Sequence, residues 1–479
     1  MPDTKRSESL RERVFKGSVY LALRNGVSII VGFIGSLLVT RLIGPDNYGL
    51  YMAAFSIFSY LSNAVSPSVA AYLVREQSPD FLKHFHLAFW WLLGLGVAAA
   101  VVASGVVVGA ALWSRQTSDF ARLAVSQFLF LPLALVSVVP QALLEKDLNY
   151  RPLAIVQLSS QAALYLVAVP LAQLGFGAWA MVGGFWLSQI VQLTGYYTAA
   201  RYRPRWYWSY ASWKQMMHYS VSQSLSVWLY NLRDLAPSLI LFPLAGERAM
   251  GYYALTHRLV NMLGFLYSVS GRVAFAAFAR LQEDKERLTK AIQETIQYLI
   301  LFLGLALTIF AASVGWIASW ILGAKWDASV IQQLYIVMAS RVLLSSVFGV
   351  QTQALYVIGQ NWLKFRANLA FAVMLIVSSG VLVGVAPPEY ASLMFVLADH
   401  IAHIPTYWYD MSGVRKHIGR IDYRVILLWV IAAQIALFAP LIEYWLYIVV
   451  IGLLLHPRSL REFREMIHSV MRYRRTERR

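Results

Sequence analysis

Cysteine is absent from the 479 residues, which excludes disulfides, thiolate metal sites and thiol nucleophiles. Charge is scarce as well. Asp, Glu, Lys and Arg together make up 14% of the chain, where a soluble globular domain carries about 25%. Acids are scarcer than bases, 24 against 41, so the formal net charge is +17. In a soluble protein that surplus would point to nucleic acid. Here the bases lie between hydrophobic blocks, where they set membrane topology and meet anionic lipid, so no nucleic-acid partner is expected. The phosphate-loop pattern G-x4-G-K-[ST] is missing, and so is H-E-x-x-H. No cofactor, metal or catalytic residue is expected.

What the chain does have is apolar sequence, 58% of its residues. Blocks of roughly 20 apolar residues, the length of a bilayer-spanning helix, recur from end to end. The expected fold is an all-α membrane protein. Fourteen spans are read at 17–41, 48–73, 86–112, 120–143, 152–173, 176–199, 217–243, 249–277, 291–321, 329–357, 366–386, 389–409, 424–439 and 442–456. The Lys/Arg distribution agrees with that count. One set of alternate loops holds Arg75, Lys83, Lys146, Arg151, Arg201, Arg203, Arg205, Lys214 and their successors, while the other holds Arg41, Arg115, Arg122, Arg248 and Lys325. Basic loops stay on the cytoplasmic side, so both termini are expected there, in a plasma membrane. No cleavable signal is read at the start. The outer loops are short and leave no room for an external catalytic domain.

The sequence repeats itself. Gly44-Pro-Asp-Asn-Tyr-Gly49-Leu-Tyr51 and Gly246-Glu-Arg-Ala-Met-Gly251-Tyr-Tyr253 both read G-x4-G-x-Y, at an offset of 202. Gln141-Ala-Leu143 with Asn149 matches Gln353-Ala-Leu355 with Asn361, at an offset of 212. These matches divide the chain into a cytoplasmic N-terminal segment (1–16), a six-helix bundle (17–200), a basic linker (201–216), a second six-helix bundle (217–410), helices 13–14 (424–456) and a basic amphipathic tail (457–479). Six spans per copy give both copies one orientation, so the pseudo-axis runs along the membrane normal. Transporters with internal repeats bind substrate where the repeats meet.

Charge inside hydrocarbon costs about 2.5–3.5 kcal/mol per group at the centre of a span, so each case needs a reason. Arg24, Arg233, Arg258, Arg272 and Arg341 fall inside spans, against the acids Asp234 and Asp399. The surplus of bases suits an anionic ligand, and guanidinium binds phosphate with planar, bidentate hydrogen bonds. Arg24 with Asn25, Arg258 with Asn261, Arg233 and Arg341 are therefore candidate substrate-binding residues. Arg233 beside Asp234, and Arg341 with Asp399, also read as structural ion pairs. Asp234, Asp399, His400 and His403 are candidates for proton coupling, because histidine titrates near neutrality and Asp399 and His403 lie one helical turn apart. A hydrogen-bonded pair stabilising the bundle fits the same spacing.

The stretch from Gly17-Ser-Val-Tyr20 through Thr40-Arg-Leu-Ile-Gly-Pro-Asp-Asn-Tyr-Gly-Leu-Tyr51 resembles the opening of Wzx-type polysaccharide and O-antigen flippases. These belong to the multidrug/oligosaccharidyl-lipid/polysaccharide exporter superfamily. Gln141-Ala-Leu-Leu-Glu-Lys-Asp-Leu-Asn-Tyr-Arg151 is similar to that family's exit from span four. The resemblance implies two six-helix bundles around a cationic cavity. It implies as cargo an oligosaccharide on undecaprenyl diphosphate, moved from the inner to the outer leaflet of a bacterial plasma membrane by alternating access. It implies Arg24 and Arg258 as cavity arginines, and as further partners a polysaccharide polymerase and chain-length proteins. Two rivals are a cation-coupled drug exporter of the same superfamily, which would need an acidic cavity, and a polysaccharide polymerase or ligase, which would need an exposed external site.

Overall fold

The computed structural model describes residues 10–113, 119–462 and 464, all helix and connecting turns, with no strand among them. Within the helices, the side chains of Arg24, Asn25 and Arg272 lie outside the described residues, as do residues 1–9 and most of the 457–479 tail. The chain divides into two compact units, one up to Gly251 and one from Tyr252.

The first unit holds α1 (Leu10–Arg75), α2 (Phe81–Trp113), α3 (Asp119–Phe128), α4 (Leu131–Lys146), α5 (Tyr150–Gln173), α6 (Ala178–Ala200), α7 (Tyr210–Ala236) and a π turn (Pro237–Leu241). Helix α8 (Phe242–Leu281) begins in it. Helix α1 is two membrane helices joined at Gly44, where φ is 81° and ψ 175°, a conformation open to glycine. The span read at 120–143 is broken between α3 and α4. Pro132 stands in the first turn of α4, where its missing N–H costs nothing. The core joins Val69, Tyr72 and Leu73 of α1 to Phe85, Ala88 and Leu92 of α2, Leu135 and Val139 of α4, and Met216 of α7. Gly184 of α6 lies where a Cβ would strike the Leu164 carbonyl of α5, so those two helices pack backbone to backbone as small residues allow in membranes.

The second unit holds the rest of α8, then α9 (Lys285–Leu322), α10 (Ala328–Val357), α11 (Asn361–Val385), α12 (Ala391–His417), α13 (Tyr423–Phe438) and α14 (Leu446–Leu454). Helix α10 packs against α9 and α12, and α11 pairs with α12. Helices α13 and α14 are both shorter than the roughly 20 residues a crossing takes. Seven helical segments among the described residues, α3 and α4 taken together as one, are long and apolar enough to cross a membrane. The length of α12 is similar, but Asp399, His400 and His403 lower its apolarity.

The repeat is visible in the backbone. Gly246 in α8 adopts φ 81° and ψ −172°, the conformation of Gly44 at the matching place in the first copy. The second match shifts by one position. Helix α4 ends with Asn149 N–H donating to the Leu144 carbonyl and Leu148 in the left-handed region (φ 54°). Helix α10 ends with Gln360 N–H donating to the Leu355 carbonyl and Gly359 in that region (φ 76°). These are the same C-terminal closure, so Asn149 corresponds to Gln360 and not to Asn361. The left-handed residue sets the register of the turn, and the Gln and Asn side chains do not.

Candidate functional site

In the second unit, α10 and α12 bring Arg341, Asp399 and His403 together. The Arg341 guanidinium Nε lies 2.9 Å from Asp399 Oδ2, with side-chain exposures of 5% and 7%. His403 Nδ1 is 2.7 Å from the Asp399 carbonyl oxygen and 3.3 Å from Asp399 Oδ1. A carbonyl only accepts, so Nδ1 carries a proton and donates it. The Phe371 ring meets the His403 ring edge to face at 4.6 Å. Arg341 Nη1 also reaches Ser345, whose hydroxyl pairs with Tyr407 at 2.9 Å. Arg341 and Asp399 thus form the ion pair that their opposite charges suggest. His400 is not drawn into this hydrogen-bonded set; its Nδ1 pairs with the Val396 carbonyl at 3.0 Å.

Helix α8 carries the second group. Asn261 Nδ2 lies 3.2 Å from His257 Nε2, as the i,i+4 spacing predicts. Arg258 follows His257 on the same helix and is half-buried. His257 stacks on Tyr253 at 5.6 Å and 11°, and Tyr253 meets Phe395 of α12 edge-on at 5.2 Å. The first unit repeats this. Tyr51 stacks on Phe55 at 5.6 Å and 14°, and Phe55 meets Phe185 of α6 edge-on at 5.9 Å. The offset between the two glycine motifs therefore pairs Phe55 with His257, Ser56 with Arg258 and Ser59 with Asn261. The polar and cationic set belongs to the second copy alone. Spacing within one helix could not reveal that.

Arg233 and Asp234 close α7 immediately before the π turn, Arg233 half-buried and Asp234 exposed. The next turn is tied to α1 by a hydrogen bond between Ser238 and Ser56.

One charged group escaped the sequence reading. Lys364 at the start of α11 pairs with Asp410 of α12, with side-chain exposures of 5% and 4%. Thr352 of α10 completes the set, donating to Asp410 Oδ2 at 2.7 Å and accepting from Lys364 Nζ at 2.9 Å. Lys364 reads as a cytoplasmic loop charge, and Asp410 falls just beyond the span read at 389–409. Opposite charges at the adjoining ends of consecutive spans were the available signal.

Long apolar helices with repeated glycine bends and buried charge define a multi-pass α-helical membrane protein. The sequence profile of the family described as "Polysaccharide biosynthesis protein" matches residues 38–331, and the chain belongs to that family. It is 25% identical over 269 residues to the succinoglycan biosynthesis transport protein ExoT of Rhizobium meliloti, covering 55% of this chain and 53% of that one. It is 25% identical over 290 residues to the lipopolysaccharide biosynthesis protein WzxC of Escherichia coli, covering 58% and 57%. The chain thus spans little more than half the length of the curated relatives it matches. In fold it is similar to the lipid II flippase MurJ in an inward closed conformation, with a TM-score of 0.71 at 13% identity, over 94% of this chain and 100% of that one. The resemblance to Wzx-type proteins read from the Gly17–Tyr51 and Gln141–Arg151 segments is borne out.

Proposed function

We infer that the protein is a flippase that carries an undecaprenyl-diphosphate-linked oligosaccharide from the inner to the outer leaflet of a bacterial plasma membrane by alternating access, for cell-surface polysaccharide synthesis. The observation that carries this reading is the family membership, joined to a fold shared over 94% of the chain with a lipid II flippase. The names of the relatives, a succinoglycan transport protein and a lipopolysaccharide biosynthesis protein, agree with a glycan cargo. Fourteen spans with both termini cytoplasmic, in two bundles at 17–200 and 217–410 followed by helices 13–14 at 424–456, complete the reading.

In this reading the diphosphate meets Arg24, Asn25, Arg233, Arg258, Asn261 and Arg341. The lipid tail stays in the bilayer. The protein performs no covalent chemistry, so it is not an enzyme. An inside-negative potential favours outward movement of negative charge by about 2.3 kcal/mol per charge per 100 mV. Asp234, Asp399, His400 and His403 supply a route for proton counterflow. Anionic lipids meet the basic loops, and a polymerase and chain-length proteins take over the product.

The test is transport itself. Purified protein in liposomes receives a fluorescent undecaprenyl-diphosphate oligosaccharide, and arrival in the opposite leaflet is followed by a membrane-impermeant quencher. Time-dependent flipping that needs the protein is expected. Movement of a cationic dye without movement of the glycolipid would replace this reading with the drug exporter.

A further inference from the structure

A cavity of about 680 Å³ opens within the first unit between the second half of α1, α4 and α6. That is inside the roughly 300–1,000 Å³ range of small-molecule sites. Its lining is rich in uncharged polar side chains. Asn63, Ser137, Gln141, Gln189 and Gln192 face it, with the Phe58 ring at one side. We propose that this cavity is a saccharide site, and that the sugar residues of the cargo occupy it while the arginines hold the diphosphate. The proposal rests on the flippase reading and adds where, and by what chemistry, the glycan is recognised.

The chemistry selects a neutral polyhydroxyl ligand. A primary amide offers two donors and two acceptor lone pairs, the complement of adjacent sugar hydroxyls. An anion would need surplus cations and a cationic drug surplus acids. The cavity has one of each, Arg75 and Glu145. Glu145 already accepts from Gln141 Nε2 at 3.0 Å. Gln189 and Gln192, at i,i+3 spacing, share one face of α6. Among the described residues neither takes part in a hydrogen bond, so both amides are available to a ligand.

The second copy shows what happens where no such ligand is held. The Phe185–Phe395 correspondence pairs Gln189 with Asp399 and Gln192 with Ala402. The shared turn ending α4 and α10 pairs Gln141 with Thr352. At those places the second copy is filled by its own buried ion pairs, Arg341 with Asp399 and Lys364 with Asp410, the latter bridged by Thr352. One copy places ion-paired side chains at these positions, and the other leaves neutral amides facing a cavity.

The test uses the full chain in detergent and the free oligosaccharide released by mild acid from the lipid-linked glycan of the cells that make the protein. Saturation-transfer NMR reads its binding to the original protein, to the Gln189→Leu/Gln192→Leu double variant, and to Gln141→Met as a second, milder change. At least tenfold weaker binding in both variants, with the thermal midpoint unchanged, is expected. Equal binding in original and variants, or no binding to either, overturns the saccharide site. Glycolipid flipping in liposomes is measured on the same preparations. Flipping by the original without the binding difference leaves the flippase reading standing and sinks this one; no flipping at all sinks the flippase reading itself.

Discussion

Gly49 and Gly251 face each other's turns. A Cβ on Gly49 would run into the carbonyl oxygen of Glu247, and a Cβ on Gly251 into the carbonyl oxygen of Pro45. Pro45 and Glu247 occupy matching positions of the repeat, as do the two glycines, so the contact is reciprocal. It joins the two G-x4-G-x-Y motifs backbone to backbone. Gly49→Ala or Gly251→Ala forces this crossing apart and is expected to cost about 1–3 kcal/mol through overpacking. Because both residues serve one crossing, the double variant should lose less than the sum of the two. Thermal unfolding in detergent measures all three.

The Arg341–Asp399 pair separates packing from transport. Removing one partner strands a buried charge, so Arg341→Met alone is expected to cost about 3–5 kcal/mol. Arg341→Met/Asp399→Leu removes both charges and should regain most of that stability. If Asp399 and His403 carry protons during transport, the stable double variant will still flip glycolipid at least tenfold more slowly and lose its response to an imposed pH gradient. Recovery of flipping along with stability would leave the pair a purely structural role.

The difference between this pair and Lys364–Asp410 explains how far the sequence could be read. Arg341 and Asp399 are isolated charges in apolar runs, and an isolated charge announces its need for a partner. Lys364 and Asp410 stand at span ends, where charge is ordinary, and only the tertiary packing of α10, α11 and α12 shows that they are buried. The Gly44/Gly246 bend was legible because few residues other than glycine adopt its positive φ, so the motif and the conformation coincide. The second repeat slips by one position because Leu148 adopts a left-handed conformation that its side chain does not advertise. Similarly, the break between α3 and α4 follows from Pro132, but a proline inside an apolar run does not say whether the helix bends or stops. The amide cavity was not legible at all, since its residues come from three helices.

Two carboxyls outside the spans should respond to pH in opposite senses. At Glu247 partial loss of hydration, joined by the Asp46 and Asp119 carboxylates, holds the carboxyl above its ordinary range. A raised carboxyl contributes stability below its unfolded pKa of about 4.3 and loses it as pH rises through the folded value. Glu247→Gln should therefore raise the thermal midpoint at pH 7 and match the original protein below about pH 4. At Glu76 burial also pushes upward, but the hydrogen bond donated by the Ser78 backbone N–H and the nearby His84 and Lys146 outweigh it, and the net shift is downward. That carboxylate contributes stability above its unfolded pKa and loses it as pH falls through the folded value. Glu76→Gln should lower the midpoint at pH 7, with the difference closing in acid. Thermal melts of both variants between pH 3.5 and 7 check the two signs.

Arg258 is the sharpest test of the cationic site because the molecule carries its own control. The matching position in the first copy is Ser56, whose hydroxyl pairs with Ser238 in a neutral contact. If charge at that place serves a diphosphate, only the second copy should be sensitive to it. Arg258→Ala is then expected to slow glycolipid flipping by about ten- to a hundredfold, the loss of one charge-assisted hydrogen-bonded contact worth about 1.5–3 kcal/mol. Arg258→Lys keeps the charge but not the planar fork, so it should recover part of the rate and no more. Ser56→Ala should change flipping little. The salt response gives a readout that packing would not move: the original protein should weaken as ionic strength rises, and Arg258→Ala should be less sensitive. Equal flipping by Arg258→Ala and the original, at every ionic strength, would remove this residue from the diphosphate site and leave the binding to the remaining arginines.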